Sequence, residues 1–158
     1  MFRELTRKNK EIPLLECIEI LKNEKRGVLS VLGDGGYPYG MPMNHFYCEE
    51  DNKLYFHCGK TGHRLDALKN CDKVSFCVFG EGEKIENDWA LNFKSVIVFG
   101  RMEIVDDMQK IINITIGLSH KFTVDEDYIK REIETFGKET LLLALTPEHI
   151  CGKKIKES

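Results

Sequence analysis

The order of strand-like and helical segments is the feature that most limits how this chain can fold. Six segments have the composition of β-strands, and short polar or glycine-containing turns join the first three of them. The repeated strand-helix-strand rhythm of a doubly wound parallel sheet is missing. We therefore predict a mainly β protein with flanking helices, an α+β fold built on a small antiparallel barrel. The six strands are predicted at residues 28–32, 37–47, 53–57, 73–79, 92–105 and 140–146.

Segments whose apolar residues recur at helical spacing lie between several of these strands. Asp106 and Asp125 are suitable N-caps, and Gly27 and Gly137 lie where helices would end. Thr61 would cap a helix that has Leu65 and Leu68 on one face. Helices are therefore predicted at residues 13–25, at residues 61–70, from Asp106 towards His120, and from Asp125 to near Gly137.

Length and composition indicate one folded domain, residues 1–158. A chain of 158 residues falls within the roughly 100–200 residues of one domain. Hydrophobic residues at 42% and charged residues at 31% are ordinary values for a globular protein and argue against a disordered, collagen-like or coiled-coil chain. With 23 basic and 26 acidic side chains the net charge is −3, so no overall field draws the protein onto nucleic acid or an anionic membrane. Any anion site must be local.

The chain is expected to be cytoplasmic. Its apolar runs, such as residues 96–99 and 141–145, are far shorter than the ~18 residues that a membrane span needs. The first eight residues are charged and lack the apolar stretch of a signal peptide. In that setting the six cysteines are predicted to be reduced thiols.

Residues 56–64, FHCGKTGHR, have the chemistry of an anion site. The segment follows a strand, opens a helix, and combines glycines with a hydroxyl and basic side chains. Backbone amides at a helix N-terminus favour phosphate, which Thr61 and Arg64 could also contact. A solvated helix start capped by Thr61 explains the same residues equally well.

Two nucleotide-binding motifs fail on this sequence. A triphosphate P-loop ending at Thr61 would need a glycine where Leu54 stands. Residues 33–36 lack the spacing of the dinucleotide fingerprint, because Pro38 occupies its last position and a strand follows. These glycines are interpreted as turn residues.

The histidines and cysteines are numerous, but their irregular spacing predicts no metal site. His57 and Cys58 are neighbours on a strand and point to opposite faces, which disfavours a Cys-His nucleophile. No catalytic residue is assigned, although His57 or His45 could donate a proton to an acceptor. The side chains considered as metal ligands are His45, Cys48, His57, Cys58, His63, Cys71 and Cys77.

The strand at residues 92–105 contains residues typical of a protein core and polar residues that core packing does not explain. Val96 and Val98 are typical of a buried strand, whereas Lys94 and Ser95 are less easily explained by packing. Trp89, just before the strand, could cover an aromatic ligand or seal one end of the barrel.

Three blocks together resemble the 5-nitroimidazole-resistance (Nim-type) branch of the pyridoxamine 5'-phosphate oxidase-like flavoproteins. The blocks are residues 37–44 (YPYGMPMN), 54–65 (LYFHCGKTGHRL) and 94–101 (KSVIVFGR), at distances compatible with that family. The resemblance spans nearly the whole chain. It implies an FMN-binding split β-barrel, usually a homodimer with the flavin at the subunit interface.

The resemblance also implies which residues bind the cofactor. Pro42, Met43 and Asn44 would lie beside the flavin ring. The ribityl phosphate would be held by His57, Thr61, Gly62, His63 and Arg64. The cofactor would further be approached by Lys94, Ser95 and Lys153.

The activity that the resemblance implies is an FMN-dependent reductase, with FAD as a possible substitute for FMN. Electrons would pass from a reduced donor, NAD(P)H, to a small nitroaromatic or quinone-like acceptor. The extended arginine-bearing tail of true pyridoxamine phosphate oxidases is missing after Lys153, so vitamin B6 oxidation is not expected. The alternatives are a non-catalytic flavin- or haem-binding or sensing protein, and a structural dimer without a cofactor.

Overall fold

A computed structural model describes residues 1–84, 86–87 and 89–156, and shows a curled antiparallel sheet. Eight strands are found in that part of the chain. They are β1 (Arg26–Leu32), β2 (Pro38–Asn44), β3 (Phe46–Cys48), β4 (Lys53–Gly59), β5 (Lys73–Phe79), β6 (Glu83–Lys84), β7 (Leu91–Val105) and β8 (Thr140–Lys156).

The four α-helices of the described residues lie close to the predicted ones. They are α1 (Leu14–Asn23), α2 (His63–Asn70), α3 (Met108–His120) and α4 (Glu126–Phe136). Asp125 caps α4 as predicted, accepting a hydrogen bond from the amide of Tyr128 at 2.9 Å. The cap of α3 is Asp107 and not Asp106, because Asp107 accepts from the amide of Lys110. None of these helices is long and apolar enough to cross a membrane.

One bent stretch of chain lets the sheet curl into a split barrel. The strand order is β2-β1-β5-β7-β8-β4-β3, with β6 beside β7. The two end strands, β2 and β3, are consecutive in the chain and separated only by His45. The stretch pairs with β1 before the bend and with β4 after it. The predicted fold class is confirmed, and the predicted strand at residues 37–47 is divided at His45.

Strand β8 is longer than predicted. It was expected to end at residue 146, but it pairs antiparallel with β7 as far as Lys156. Lysines, a proline and a glycine interrupt the apolar pattern of its second half, so local sequence gives no strand signal there. Backbone pairing with β7 and an isolated bridge from Glu11 to Lys153 form the strand instead.

The core fills the inner face of the sheet, and α3 covers part of the outer face. Leu29, Phe76 and Val98 are fully buried inside the barrel. Ile111 and Ile114 of α3 belong to a second cluster on the other face of β4 and β8. Because β8 is covered on both faces there, residues 141–145 form a continuous apolar run and do not alternate.

His45 is buried at the bend between β2 and β3. Its Nε2 donates to the carbonyl oxygen of Leu21 at 2.7 Å, while Nδ1 has no hydrogen-bond partner among the described atoms. Burial, and then the nearby charge of Lys121, lower the pKa of His45 to about 3. A fully buried, neutral imidazole cannot reach an acceptor. The hypothesis that His45 donates a proton in a reaction is therefore wrong, and its role is structural.

Gly100 is required where β7 bulges against β8. A Cβ at this position would overlap the carbonyl oxygen of Thr146 and lie 2.9 Å from a methyl group of Leu145. We expect Gly100→Ala to lower the free energy of unfolding by about 3 kcal/mol, measured by urea denaturation. Gly40→Ala on β2 is the matched control, since its Cβ would meet neighbours at an ordinary 3.4 Å. Equal stability of the two variants would contradict this explanation of the bulge.

Candidate functional site

The end of β4 and the start of α2 meet at Gly62. Its φ of 125° lies in a region that side chains rarely adopt, so glycine is needed for the chain to turn into the helix. Thr61 is exposed and does not cap α2, contrary to the capped-helix interpretation. The amides of Leu65 and Asp66 both bond to the carbonyl of Gly62, which places the amides of residues 63 and 64 in the open first turn. This turn presents backbone donors and the positive end of the helix dipole.

Arg64 brings a cation from this turn to the side of β2. Its Nε lies 3.0 Å from the sulfur of Met41, and the side chain is half-buried. Burial raises the pKa of the Cys58 thiol, and the charge of Arg64 partly opposes that rise. The guanidinium therefore lies near both β2 and β4, beside two of the predicted blocks.

His63 is turned towards the hairpin between β1 and β2. Its ring stacks on Tyr39 with centroids 4.4 Å apart. Its Nε2 lies 3.4 Å from the amide nitrogen of Asp34 and 3.6 Å from the carboxylate of the same residue. Both polar distances are long, so the ring stack is the firmer contact. The hairpin thus determines where this imidazole lies.

His57 is held in one tautomer by α3. Its Nε2 lies 2.9 Å from the hydroxyl oxygen of Thr115, whose own proton goes to the carbonyl of Ile111 at 2.7 Å. Because that oxygen is left to accept, Nε2 carries the hydrogen and Nδ1 keeps a lone pair. Burial lowers the pKa of His57. His57 therefore offers a hydrogen-bond acceptor at neutral pH and not a positive charge.

Asn44 and His57 line one cavity of about 630 Å³. Its other walls are α3, α4 and the start of β8. A volume of this size falls within the range of small-molecule sites.

Ser95 and Lys153 meet on neighbouring strands. They are cross-strand partners on β7 and β8, and Ser95 is buried between Lys153 and Phe79 of β5. Lys94 precedes Ser95 on β7, so its side chain lies on the opposite face of the strand. It forms an ion pair with Glu16.

Pro42 and Lys94 share a second, wider cleft of about 1230 Å³. Met43, the neighbour of Pro42 in the chain, points into the core with 8% of its surface exposed, so only its backbone is available to a ligand. Trp89 is 76% exposed and does not seal the barrel. One chain thus distributes the predicted residues over four places: the start of α2, the cavity with Asn44, the cleft with Lys94, and the Ser95–Lys153 pair.

The family of the chain follows from comparison with known proteins. The family model described as pyridoxamine 5'-phosphate oxidase matches residues 14–154. The chain belongs to the pyridoxamine 5'-phosphate oxidase family. No curated protein matches the sequence.

Solved structures share the fold of this family member. A proposed 5-nitroimidazole antibiotic resistance protein from Bacteroides thetaiotaomicron is similar with a TM-score of 0.76 and 18% identity, over 92% of this chain and 87% of the other. An FAD-binding protein from Mesorhizobium loti has a TM-score of 0.69 and 21% identity, over 94% and 98% of the two chains. An FAD and haem binding protein from Mycobacterium smegmatis has a TM-score of 0.70 and 17% identity, over 91% and 72%.

Several residues that shape the site of this family member were missed from the sequence. Thr115 sets the tautomer of His57, Tyr39 and Met41 contact the start of α2, and Glu16 pairs with Lys94. Thr115 lies 58 residues from His57 along the chain. No local motif signals such a contact.

Proposed function

We propose that this protein binds FMN where α2 begins beside β2, and that it is a flavin-dependent reductase. One observation carries the proposal most: the open first turn of α2 includes Arg64, whose side chain contacts Met41 of β2. Amides, a helix dipole and a cation together match a dianionic phosphate. Membership of the pyridoxamine 5'-phosphate oxidase family supports the same ligand.

The residues present fit the parts of FMN. The phosphate would accept hydrogen bonds from the amides of the first turn, the exposed hydroxyl of Thr61 and the guanidinium of Arg64. Nδ1 of His57 would accept a hydrogen bond from a ribityl hydroxyl, because its lone pair suits a donor better than a phosphate oxygen. Backbone groups of Pro42 to Asn44 on the end strand β2 would face the ring. His57 is thus given a different partner from the one the resemblance implies.

A second copy of the chain would complete the site. Val28, Cys77, Ile97 and Cys151 are successive cross-strand partners on the outer face of β1, β5, β7 and β8, and each is only half-buried. Ser95 and Lys153 continue the same face. We propose a homodimer through this face, with Ser95 and Lys153 of one copy approaching the flavin held by the other. A site shared by two copies would bring together predicted residues that lie in separate places on a single chain.

When bound, FMN supplies the redox chemistry between a nicotinamide donor and a small acceptor. The chain contributes phosphate anchorage and orientation. His57 is not a ready proton donor, because its one N–H is committed to Thr115 and burial disfavours its charged form. Protons for a reduced acceptor would then come from solvent.

The same feature favours a second candidate, a flavin- or haem-binding protein without turnover. A site whose histidine is not a ready proton donor suits storage or sensing as well as reduction. The Mycobacterium smegmatis neighbour is described as binding both FAD and haem.

Spectra of the purified protein distinguish these functions. We expect yellow protein that releases FMN on denaturation, has twice the mass of the chain in light scattering, and is bleached by NADH or NADPH. A nitroimidazole should restore the colour. Bound flavin that neither nicotinamide reduces would contradict the reductase proposal and support the non-catalytic one. A Soret band with no flavin would support haem, and released FAD would replace FMN as the cofactor.

A further inference from the structure

The cavity lined by Asn44 and His57 is mostly apolar away from those two residues. It lies between the β4 side of the barrel and the two helices α3 and α4. Methyl, thioether and aromatic groups on both helices would cover a ligand and remove it from water. The apolar side chains in its wall are Met108, Ile111, Ile112, Leu118, Phe122, Tyr128 and Ile133.

Charge in this cavity is of one sign. Among its described lining residues, Glu132 and Glu134 are acidic and none is Lys or Arg. Both glutamates are exposed on α4. The hydroxyl proton of Thr115 is already committed to the carbonyl of Ile111. An anionic ligand would therefore meet two acidic side chains and, among the described lining residues, no Lys or Arg to neutralise it.

The wider cleft beside Pro42 has the opposite charge. Three acidic residues there, Glu24, Glu81 and Glu83, are outnumbered by six basic ones. The basic residues are Lys10, Lys25, Arg26, Lys94, Lys154 and Lys156. A protein with a net charge of −3 thus presents a basic cleft and an acidic cavity at different places.

We infer that the α3–α4 cavity is the acceptor site and that it selects uncharged or cationic aromatic compounds over anions. The inference rests on the proposed function, because it assumes that the flavin lies beside Asn44 and His57. Apolar walls would supply most of the binding, and the two glutamates would set the selectivity. Phosphorylated or carboxylated acceptors are then poor ligands.

Three ligands of equal size test the charge preference. They are para-nitrobenzyl alcohol, para-nitrobenzylamine and para-nitrobenzoate, which are neutral, cationic and anionic at neutral pH. Each is titrated by calorimetry into FMN-loaded, oxidised protein without a reductant. We expect the alcohol and the amine to bind about tenfold or more tightly than the benzoate. Benzoate binding as tight as the alcohol would overturn the inference.

Two variants locate the binding. Ile112→Trp fills the cavity from α3 and should weaken the alcohol about tenfold while leaving FMN affinity within about twofold. Ile116→Trp is the control, a half-buried isoleucine of the same helix that does not line the cavity. An unchanged alcohol affinity in Ile112→Trp would overturn the inference. An equal loss of FMN would also overturn it, since the cavity would then belong to the flavin.

The double variant Glu132→Gln with Glu134→Gln gives a second test. Both glutamates are exposed, so their substitution does not disturb packing. It should raise benzoate affinity about threefold and leave the alcohol unchanged. No change for benzoate would show that the glutamates do not select. Failure of the proposed function is separate: it appears as wild-type protein that binds no FMN, and the same titrations on flavin-free protein then still report whether the cavity prefers uncharged ligands.

Discussion

Between pH 6.5 and pH 3 the wild-type protein should lose roughly 4 kcal/mol of unfolding free energy through His45 alone. Its folded pKa of about 3 lies below the ordinary value of 6.5. The unfolded chain therefore binds this proton first as the pH falls. The stabilisation is complete above pH 6.5 and is lost progressively down to pH 3.

The cause is the burial of an imidazole whose surroundings cannot accept a charge. His45 has no exposed surface, and its ring meets Phe76 edge-on. The ammonium group of Lys121 donates to the carbonyl oxygen of His45 and also to that of Glu24. Burial lowers the pKa of Lys121 to about 8, so this amine is charged throughout the acid range and opposes protonation of His45.

His45→Gln separates titration from packing. A glutamine amide can still donate to the carbonyl of Leu21 but binds no proton, so the acid loss of stability should be several kcal/mol smaller than in the wild type. Urea denaturation followed by circular dichroism at several pH values measures the slope. His120→Gln, an exposed histidine beside Glu126, is the control and should keep the wild-type slope. The same slope in His45→Gln and in the wild type would contradict the structural role of His45.

The double variant Thr61→Ala with Arg64→Ala should weaken FMN about thirtyfold or more and leave riboflavin nearly unchanged. Hydrogen bonds to charged groups contribute about 1.5–3 kcal/mol each, and riboflavin has no phosphate to lose them. Dissociation constants for both ligands come from quenching of flavin fluorescence. Only a contact to the phosphate produces such a difference between the two ligands.

Lys69→Ala is the matched control for that variant. Lys69 is a basic residue at the other end of α2, where it pairs with Asp66. Its removal changes the charge by the same amount as Arg64→Ala and should leave both affinities unchanged. Equal losses of FMN and riboflavin in the double variant would show that the first turn of α2 does not hold the phosphate.

Elements defined by local signals could be predicted from the sequence. Asp125 begins α4 through its capping hydrogen bond, and the hairpin between β1 and β2 follows from residues 33–36. The bend at His45 could not be predicted. It depends on a carbonyl of α1 and on pairing with β4, neither of which is local.

The candidate site also has features that the sequence predicts and features that it does not. The anion-binding character of residues 56–64 is readable because glycines, a hydroxyl and cations are adjacent in the chain. The tautomer of His57 could not be predicted from the sequence, since it depends on a contact with Thr115 of α3. No motif indicates that His57 and the Ser95–Lys153 pair lie apart, because their separation depends on the arrangement of strands in the sheet.

Titration of flavin-free protein with FMN tests the central claim most directly. Quenching of flavin fluorescence should saturate at one FMN per chain, with a dissociation constant of about 1 μM or lower, a binding free energy near −8 kcal/mol. Fluorescence that stays unquenched up to about 100 μM protein would contradict a flavin site in this chain.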